Sequence, residues 1–260
     1  MNQRPIALPR WLAWLLPLGV AGVVLAAWWI AFAKGAFPRG TVPSPPAVWR
    51  GFIGEIENGR LGDDIVASLF RVVVGFTLAA LVAVPLGLVL GQSRWARGAL
   101  MPAVNFLRSL SPIAWIPFAI IWFGIGDAPA IFIIFMATAF QLTLATSAAV
   151  ANIPRVYYRV AADHGIRGPH LWFAVTLPAA MPQLITALRV AAGVAWMVVV
   201  AAEMIAVRSG LGFLIVDARS GLRMDLVVVG MISIGVIGVV LDRVLFQLTR
   251  IKSVRWGYDR

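Results

Sequence analysis

Long apolar runs alternate with short charged segments along this chain, and the spacing of the charges predicts where it crosses a membrane. No Asp, Glu, Lys or Arg interrupts the 23 residues between Arg10 and Lys34, the 22 between Arg71 and Arg94, the 18 between Arg108 and Asp127, or the 16 between Asp225 and Asp242. Further runs extend from Asp127 to Arg155 and from Leu177 to Val207, the second broken only by Arg189 and Glu203. A helix needs about 20 apolar residues to cross about 30 Å of hydrocarbon. Six crossings are therefore predicted, over 11–33, 70–92, 99–123, 129–150, 180–206 and 225–248. Ala31-Phe32-Ala33 mimics a signal-peptide cleavage site, but the apolar run before it exceeds the roughly 7–15 residues of a signal sequence.

Composition agrees. Of 260 residues, 61% are hydrophobic and 13% charged. A soluble domain could not bury that much apolar surface, and a disordered chain needs the opposite balance. The absence of cysteine excludes a disulfide framework, a thiolate nucleophile and a cysteine metal site. The net charge of +11 raises the possibility of nucleic-acid binding, which would gather the basic residues into one patch. They fall instead on one side of the predicted topology. Segments 1–10, 93–98, 151–176 and 249–260 hold Arg4, Arg10, Arg94, Arg97, Arg155, Arg159, Arg167, Arg250, Lys252, Arg255 and Arg260, against Asp163 and Asp259 only. The other side mixes Lys34, Arg39, Arg50, Arg60, Arg208, Arg219 and Arg223 with six acids. The positive-inside rule then puts both termini in the cytoplasm, beside a lipid bilayer and no nucleic acid.

Four units follow: an N-terminal transmembrane helix (1–34), an external connector (35–60), a core with five spans (61–250) and a basic tail (251–260). Pro38, Pro43, Pro45, Pro46 and five glycines predict an extended connector. Leu61, Ile65, Leu69 and Val72 oppose Asp63, Asp64 and Ser68, which predicts a helix lying at the interface before it turns into the membrane.

Catalytic chemistry is sparse. The only lysines are Lys34 and Lys252, and no phosphate-binding G-x-x-x-x-G-K-[ST] loop exists. His164 and His170 with Asp163 read as a solvated loop rather than a metal site. No Ser/His/Asp set shares a membrane face, so no enzyme is expected. Inside the spans, Glu203 carries the cost of an intramembrane carboxylate, about 2.5–3.5 kcal/mol, and must face protein or water. It either lines a translocation path or pairs with Arg189 or another helix, and Arg189, fourteen residues away, is about 21 Å along one helix and cannot reach it within that helix. Pro102, Pro112 and Pro117 with Ser109 and Ser111 break the third span, and freed carbonyls there need a protein or cavity cover. Ser111, Trp115, Pro117, Gln141 and Glu203 are the candidate path residues.

The longest internal loop, 151–176, predicts two short helices. Pro154 fits the first turn of one, Gly165 fits its end, and Gly168-Pro169 forbids continuation. Ala161 and Ala162 are expected to be exposed for contact. This loop resembles the EAA motif of permease subunits of bacterial ABC importers, with Gly165, Leu177-Pro178 and Ala161 at matching spacing and Arg159 where the motif usually has Glu. Ser109-Leu-Ser-Pro-Ile-Ala-Trp-Ile-Pro117 and Ile121-Trp-Phe-Gly-Ile-Gly-Asp127 are similar to the nitrate/sulfonate/taurine-type permeases. So are Ser68-Leu-Phe-Arg-Val-Val-Val-Gly-Phe76, Val200-Ala-Ala-Glu-Met204 and Ser209-Gly-Leu-Gly-Phe213. The similarity covers roughly 60–250.

The resemblance implies an all-α, polytopic type I importer permease fold with six transmembrane helices and a cytoplasmic coupling helix. Arg159, Ala161, Ala162, Asp163, His164, Gly165, Arg167 and Gly168 would then couple to the ATPase. It further implies a second permease copy, two cytoplasmic ATP-binding subunits that use ATP and Mg, and a periplasmic binding protein docking on 35–60, 124–128 and 208–223. This chain itself would bind no cofactor or metal. The expected cargo is a small anion such as nitrate, bicarbonate, taurine or another sulfonate, and the expected site is the bacterial inner membrane. The alternative is a stand-alone, proton-coupled secondary transporter working through Glu203, which calls for inverted repeats and paired intramembrane acids.

Overall fold

The computed structural model describes residues 10–248 apart from 37 and 39, and only the backbone of 10–14, 17, 18 and 248. Within those bounds all regular structure is helical. Helix α1 spans Arg10–Ala33, α2 Pro45–Glu57, α3 Arg60–Gln92 and α4 Arg94–Ser109. A 3₁₀ turn, Pro112–Trp115, leads into α5 (Ile116–Phe123), followed by α6 (Asp127–Ala151) and α7 (Arg155–Asp163). The short α8 (Pro169–Leu171) continues through a π turn, Trp172–Thr176, into α9 (Leu177–Ala206). Helices α10 (Leu211–Ser220) and α11 (Met224–Leu248) complete the described chain.

Four helical stretches among the described residues are long and apolar enough to cross a membrane: Arg60–Gln92, Asp127–Ala151, Pro169–Ala206 and Met224–Gln247. The expected third span is not one kinked helix. Its halves, Arg94–Ser109 and Pro112–Phe123, meet at 89° and make a fifth crossing only when taken together. Leu110 and Ser111 are extended at the corner, as a residue before proline prefers. Helix α1 matches the first predicted span along its backbone, while the tail 251–260 lies outside the described residues.

Two local expectations are corrected. The connector is not extended throughout, because Pro45 and Pro46 occupy the first turn of α2, where a missing N–H costs nothing. The Ser44 side chain caps that helix by accepting from the Ala47 N–H at 3.3 Å. Residues 61–74 are not a separate interfacial helix; they are the first half of the continuous 33-residue α3. The polar residues that suggested an exposed face, Asp64 and Ser68, are buried, 5% and 1% exposed.

Helices α3 and α6 run parallel and form the most intimate pair. Gly75, Ala79, Ala83, Gly87 and Gly91 recur every fourth residue along α3, so they form one stripe. A Cβ on Gly75 would meet Ile134, one on Gly87 would meet Thr146, and one on Gly91 would meet Val150. The offset is constant at 59 positions, and Ile134, Thr138, Leu142, Thr146 and Val150 form the facing stripe, all at most 3% exposed. In a bilayer, burial from water does not drive helix association, so close backbone approach through small residues does that work. Helix α9 closes the other side of this pair, with Ala191 joining Ala83 and Leu142.

Gly87→Leu would drive a side chain into Thr146 Cβ at 2.5 Å and the Thr143 carbonyl at 2.8 Å. The expected loss is about 1–3 kcal/mol or more, seen as a lower thermal midpoint in detergent. Gly98→Leu, where a Cβ meets nothing within 4 Å, should leave that midpoint unchanged.

Candidate functional site

Two polar regions stand at opposite ends of the bundle. The first sits where α3, α6 and α9 meet the turn into α10. Arg71, 1% exposed, lies one turn before Gly75 and heads the small-residue stripe of α3. Its Nε donates to Asp127 Oδ1 at 2.7 Å, and its Nη1 donates to Glu203 Oε1 at 2.7 Å and to the Ser209 carbonyl at 2.8 Å. Nη2 donates to Ser209 Oγ at 2.5 Å. One guanidinium thus ties α3 to the start of α6, to α9 and to the loop after α9.

Glu203 is fully buried, and each of its oxygens is engaged. Oε1 accepts from Arg71, while Oε2 accepts from Ser68 Oγ at 2.9 Å and from the Gly212 N–H at 3.0 Å. Ser68 Oγ also accepts from the Leu211 N–H at 3.0 Å, and Asp64 Oδ1 accepts from the Gly210 N–H at 2.6 Å. The first N–H groups of α10, which have no partner within the helix, are therefore capped by side chains from α3 and α9. Two carboxylates at that terminus also suit the helix dipole. Gly210 at φ 100° has no room for a side chain, since a Cβ would stand 2.5 Å from Glu203 Cδ and 2.6 Å from Arg71 Nη1. Outside this lock, Arg60 Nε lies 3.7 Å from Asp64 and 4.0 Å from Glu55, and Arg60 also bonds Asp217 at 2.5 Å.

The second region is the helical hairpin at the other end. Helix α7 ends on Gly165 (φ 71°), with the Gly165 and Ile166 N–H groups donating to the Ala162 and Ala161 carbonyls at 3.0 and 2.9 Å. This crossed pair is the usual close of a helix on a left-handed glycine. Gly168 (φ 62°) then turns the chain into Pro169. Arg159, Ala162, Asp163, His164, Gly165, Arg167 and Gly168 are all exposed. Ala161 is not: at 4% it faces inward, on the side of α7 turned toward Val175 and Pro178. An open apolar groove of about 770 Å³ runs between these elements, walled by Val156, Val160 and Ile166. Gln92 at the end of α3 donates to Thr176 Oγ1 at 2.7 Å and fixes the base of the hairpin.

The five candidate path residues do not converge. Ser111, Trp115 and Pro117 lie along the bend before and within α5, where Trp115 stacks among Phe118, Trp122 and Phe132 with centroids 6.1–6.4 Å apart. Gln141 is half-buried in the middle of α6. Glu203 belongs to the Arg71 lock. Its partner is not Arg189, which binds Asp242 of α11 through two bonds of 2.8 and 2.7 Å. In the sequence, Arg71 and Asp127 stand at the edges of apolar windows and inside motifs, Ser68 on the polar side of 61–74 and Ser209 inside a motif, with nothing to join them. The available signal was the position of Arg71 on the four-residue repeat of Gly75, Ala79 and Ala83.

Apolar membrane-length helices, packed around a buried ion pair and carrying a charged hairpin at one end, define a polytopic membrane protein. Residues 83–252 match the family described as binding-protein-dependent transport system inner membrane component. A putative ABC transporter permease of Methanocaldococcus jannaschii is 42% identical over 193 residues, covering 74% of this chain and 72% of that protein. The taurine transport system permease of Escherichia coli is 33% identical over 245 residues, covering 90% and 87%. The nitrate import permease of Synechocystis is 35% identical over 183 residues, covering 70% and 66%. In structure, a chain of the inward-facing MetNI methionine ABC transporter superposes with a TM-score of 0.60 at 19% identity, covering 80% of this chain and all of that one. The chain belongs to the binding-protein-dependent transport system inner membrane components: it is the permease subunit of an ABC importer, a multi-pass inner-membrane protein and not itself the ATPase. The proton-driven carrier reading of Glu203 gives way to this assignment.

Arg71→Leu leaves Glu203 and Asp127 without their cation and should cost about 3–5 kcal/mol, as for a broken buried pair. The check is a thermal melt of the purified protein in detergent. Arg71→Lys should recover little, because an ammonium cannot make the forked contacts. The double variant Arg71→Leu/Glu203→Leu should be more stable than Arg71→Leu alone.

Proposed function

We propose that this permease works as one of two copies and imports a small oxyanion delivered by a periplasmic binding protein. Its relatives supply the cargo class: nitrate, bicarbonate, taurine and aliphatic sulfonate permeases all stand at 32–35% identity. The six crossings expected from the sequence would by themselves enclose too little space for a path with two alternating openings, so a second copy completes it. Both termini lie in the cytoplasm, following the basic excess in the short segments. The binding protein docks on the opposite side, on 35–60, 124–128 and 208–223.

The observation that carries the coupling role is the hairpin 155–172. Its helix α7 contributes nothing to a membrane crossing, yet the hairpin turns on two glycines at positive φ and presents Arg155, Arg159, Asp163 and Arg167 to solvent. A separate ATP-binding subunit engages this surface. ATP and Mg bind between two such subunits; when these close, the hairpins move with them as rigid bodies and turn the cavity outward. Arg159 replaces the motif's usual acid, so the partner groove carries a complementary acid there.

Purification in mild detergent followed by native mass spectrometry should yield two permeases with two ATP-binding subunits; a bare monomer or dimer in the presence of ATP would refute the reading. Arg159→Glu should lower ATP-driven uptake at least tenfold while the permease still inserts. Uptake of labelled nitrate, bicarbonate and taurine by proteoliposomes of the whole assembly with its binding protein would fix the cargo.

A further inference from the structure

The described spanning helices present two kinds of outward face. On α3 that face is Val66, Phe70, Val73, Leu81 and Val82, each 52–66% exposed. On α11 it includes Ile232, Val236, Val239, Val240 and Val244, each 46–58% exposed, together with Met231 at 60%, the exposed Gly235 and, toward the helix end, Asp242. Branched aliphatic and aromatic faces suit lipid. Helix α9 differs. Its exposed positions step by three and four: Gln183, Thr186, Val190, Gly193, Met197 and, a further two turns on, Met204. They form one face that mixes the polar Gln183 and Thr186 and the small Gly193 with Val190, 53% exposed, and Met197, 75% exposed, and a Cβ on Gly193 would meet open space.

Beside that face stands the Arg189–Asp242 pair, with side chains 33% and 57% exposed. Arg189 lies thirteen residues beyond Thr176 and seventeen before Ala206, so helical rise puts it about 20 Å from one end and about 25 Å from the other. Its partner Asp242 lies six residues before the end of α11, about 9 Å from it, so the pair sits toward the hairpin end of the bundle, where its partly exposed charges belong beside water. The Arg71–Glu203 pair, by contrast, is sealed on every side and offers nothing to a passing solute.

We propose that the translocation path runs along the α9 face of Gln183, Thr186, Gly193 and Met197, with the Arg189–Asp242 pair at its side, and that its occupant is water and the hydrated small anion in transit. This rests on the permease reading and places its path. The chemistry fits weak, transient passage: hydroxyl and amide groups hydrogen-bond an oxyanion, a glycine widens the lane, and unbranched methionine yields. The guanidinium of Arg189 attracts an anion, while its bidentate partner Asp242 offsets the charge and prevents a trap.

The chain has no cysteine, so each introduced thiol is its only one. Thr186→Cys, Gly193→Cys and Met197→Cys, with Ile232→Cys, Val236→Cys and Val239→Cys on α11 as lipid-facing controls, are assembled with the ATP-binding subunits in membranes. They are treated with the membrane-impermeant sulfonate reagent 2-sulfonatoethyl methanethiosulfonate, applied to both faces. Labelling of this chain is read by mass spectrometry. Rates on α9 at least about tenfold above those on α11 are expected. Rates no higher than the α11 controls would overturn the proposal, as would copy-to-copy cross-linking at Met197→Cys without reagent labelling, which would make the face a dimer contact. Co-purification of the ATP-binding subunit with the same variants tests the permease reading separately, so its failure is distinguishable.

Discussion

A single buried guanidinium holds the upper part of this bundle together. Arg71 contacts the first residue of α6, a carboxylate in α9 and both the side chain and the carbonyl of Ser209. Burying such a charge is unfavourable unless every donor finds a partner, and here α6, α9 and the α9–α10 loop must all be in place to supply them. The lock is therefore more a device for specifying one arrangement than a source of net stability. Its carboxylate completes the fit by accepting from Ser68 and from the start of α10, so the loop carrying Gly210 and the helix after it inherit their position from the same pair.

Below the lock the physics changes from charge to contact. The stripe that begins at Arg71 continues as Gly75, Ala79, Ala83, Gly87 and Gly91, and α6 lies in the channel this leaves. The two devices are consecutive turns of one helix face. Charge fixes the depth and rotation of α3, and small residues then let the two backbones approach along the remaining length. The α3–α6–α9 unit that results joins the base of the hairpin 155–172 at its far end through the Gln92–Thr176 bond.

Much of this was legible in one dimension. Charge-free windows located α1, α6, α9 and α11 to within a few residues, because a span of about 20 apolar residues is a one-dimensional requirement. Gly165 and Gly168-Pro169 marked the turns of the hairpin, since backbone at positive φ leaves its trace in residue choice. What failed did so for a common reason. Asp64 and Ser68 read, with the exposed Asp63, as a solvated face of 61–74 and are buried. Whether a polar side chain points at water or at a buried guanidinium is not a property of its own segment. Ala161 was expected outside and lies inside for the same reason: only the later strip Val175–Pro178 shows which way α7 faces.

The sequence by itself determined that this chain lives in a bilayer, that it is built from helices, and that a charged hairpin interrupts them. Hydrophobicity, helix length and turn chemistry are local quantities that add up along a chain. It also carried the motifs containing Ser68, Arg71, Asp127, Glu203 and Ser209, but as four separate fragments. Only the tertiary structure joined them, across separations of up to 138 positions, and paired Glu203 with Arg71 and Arg189 with Asp242. Such pairings are decided by which helix faces meet, and Coulomb energy depends on the distance between charges in space, which no position along the chain records.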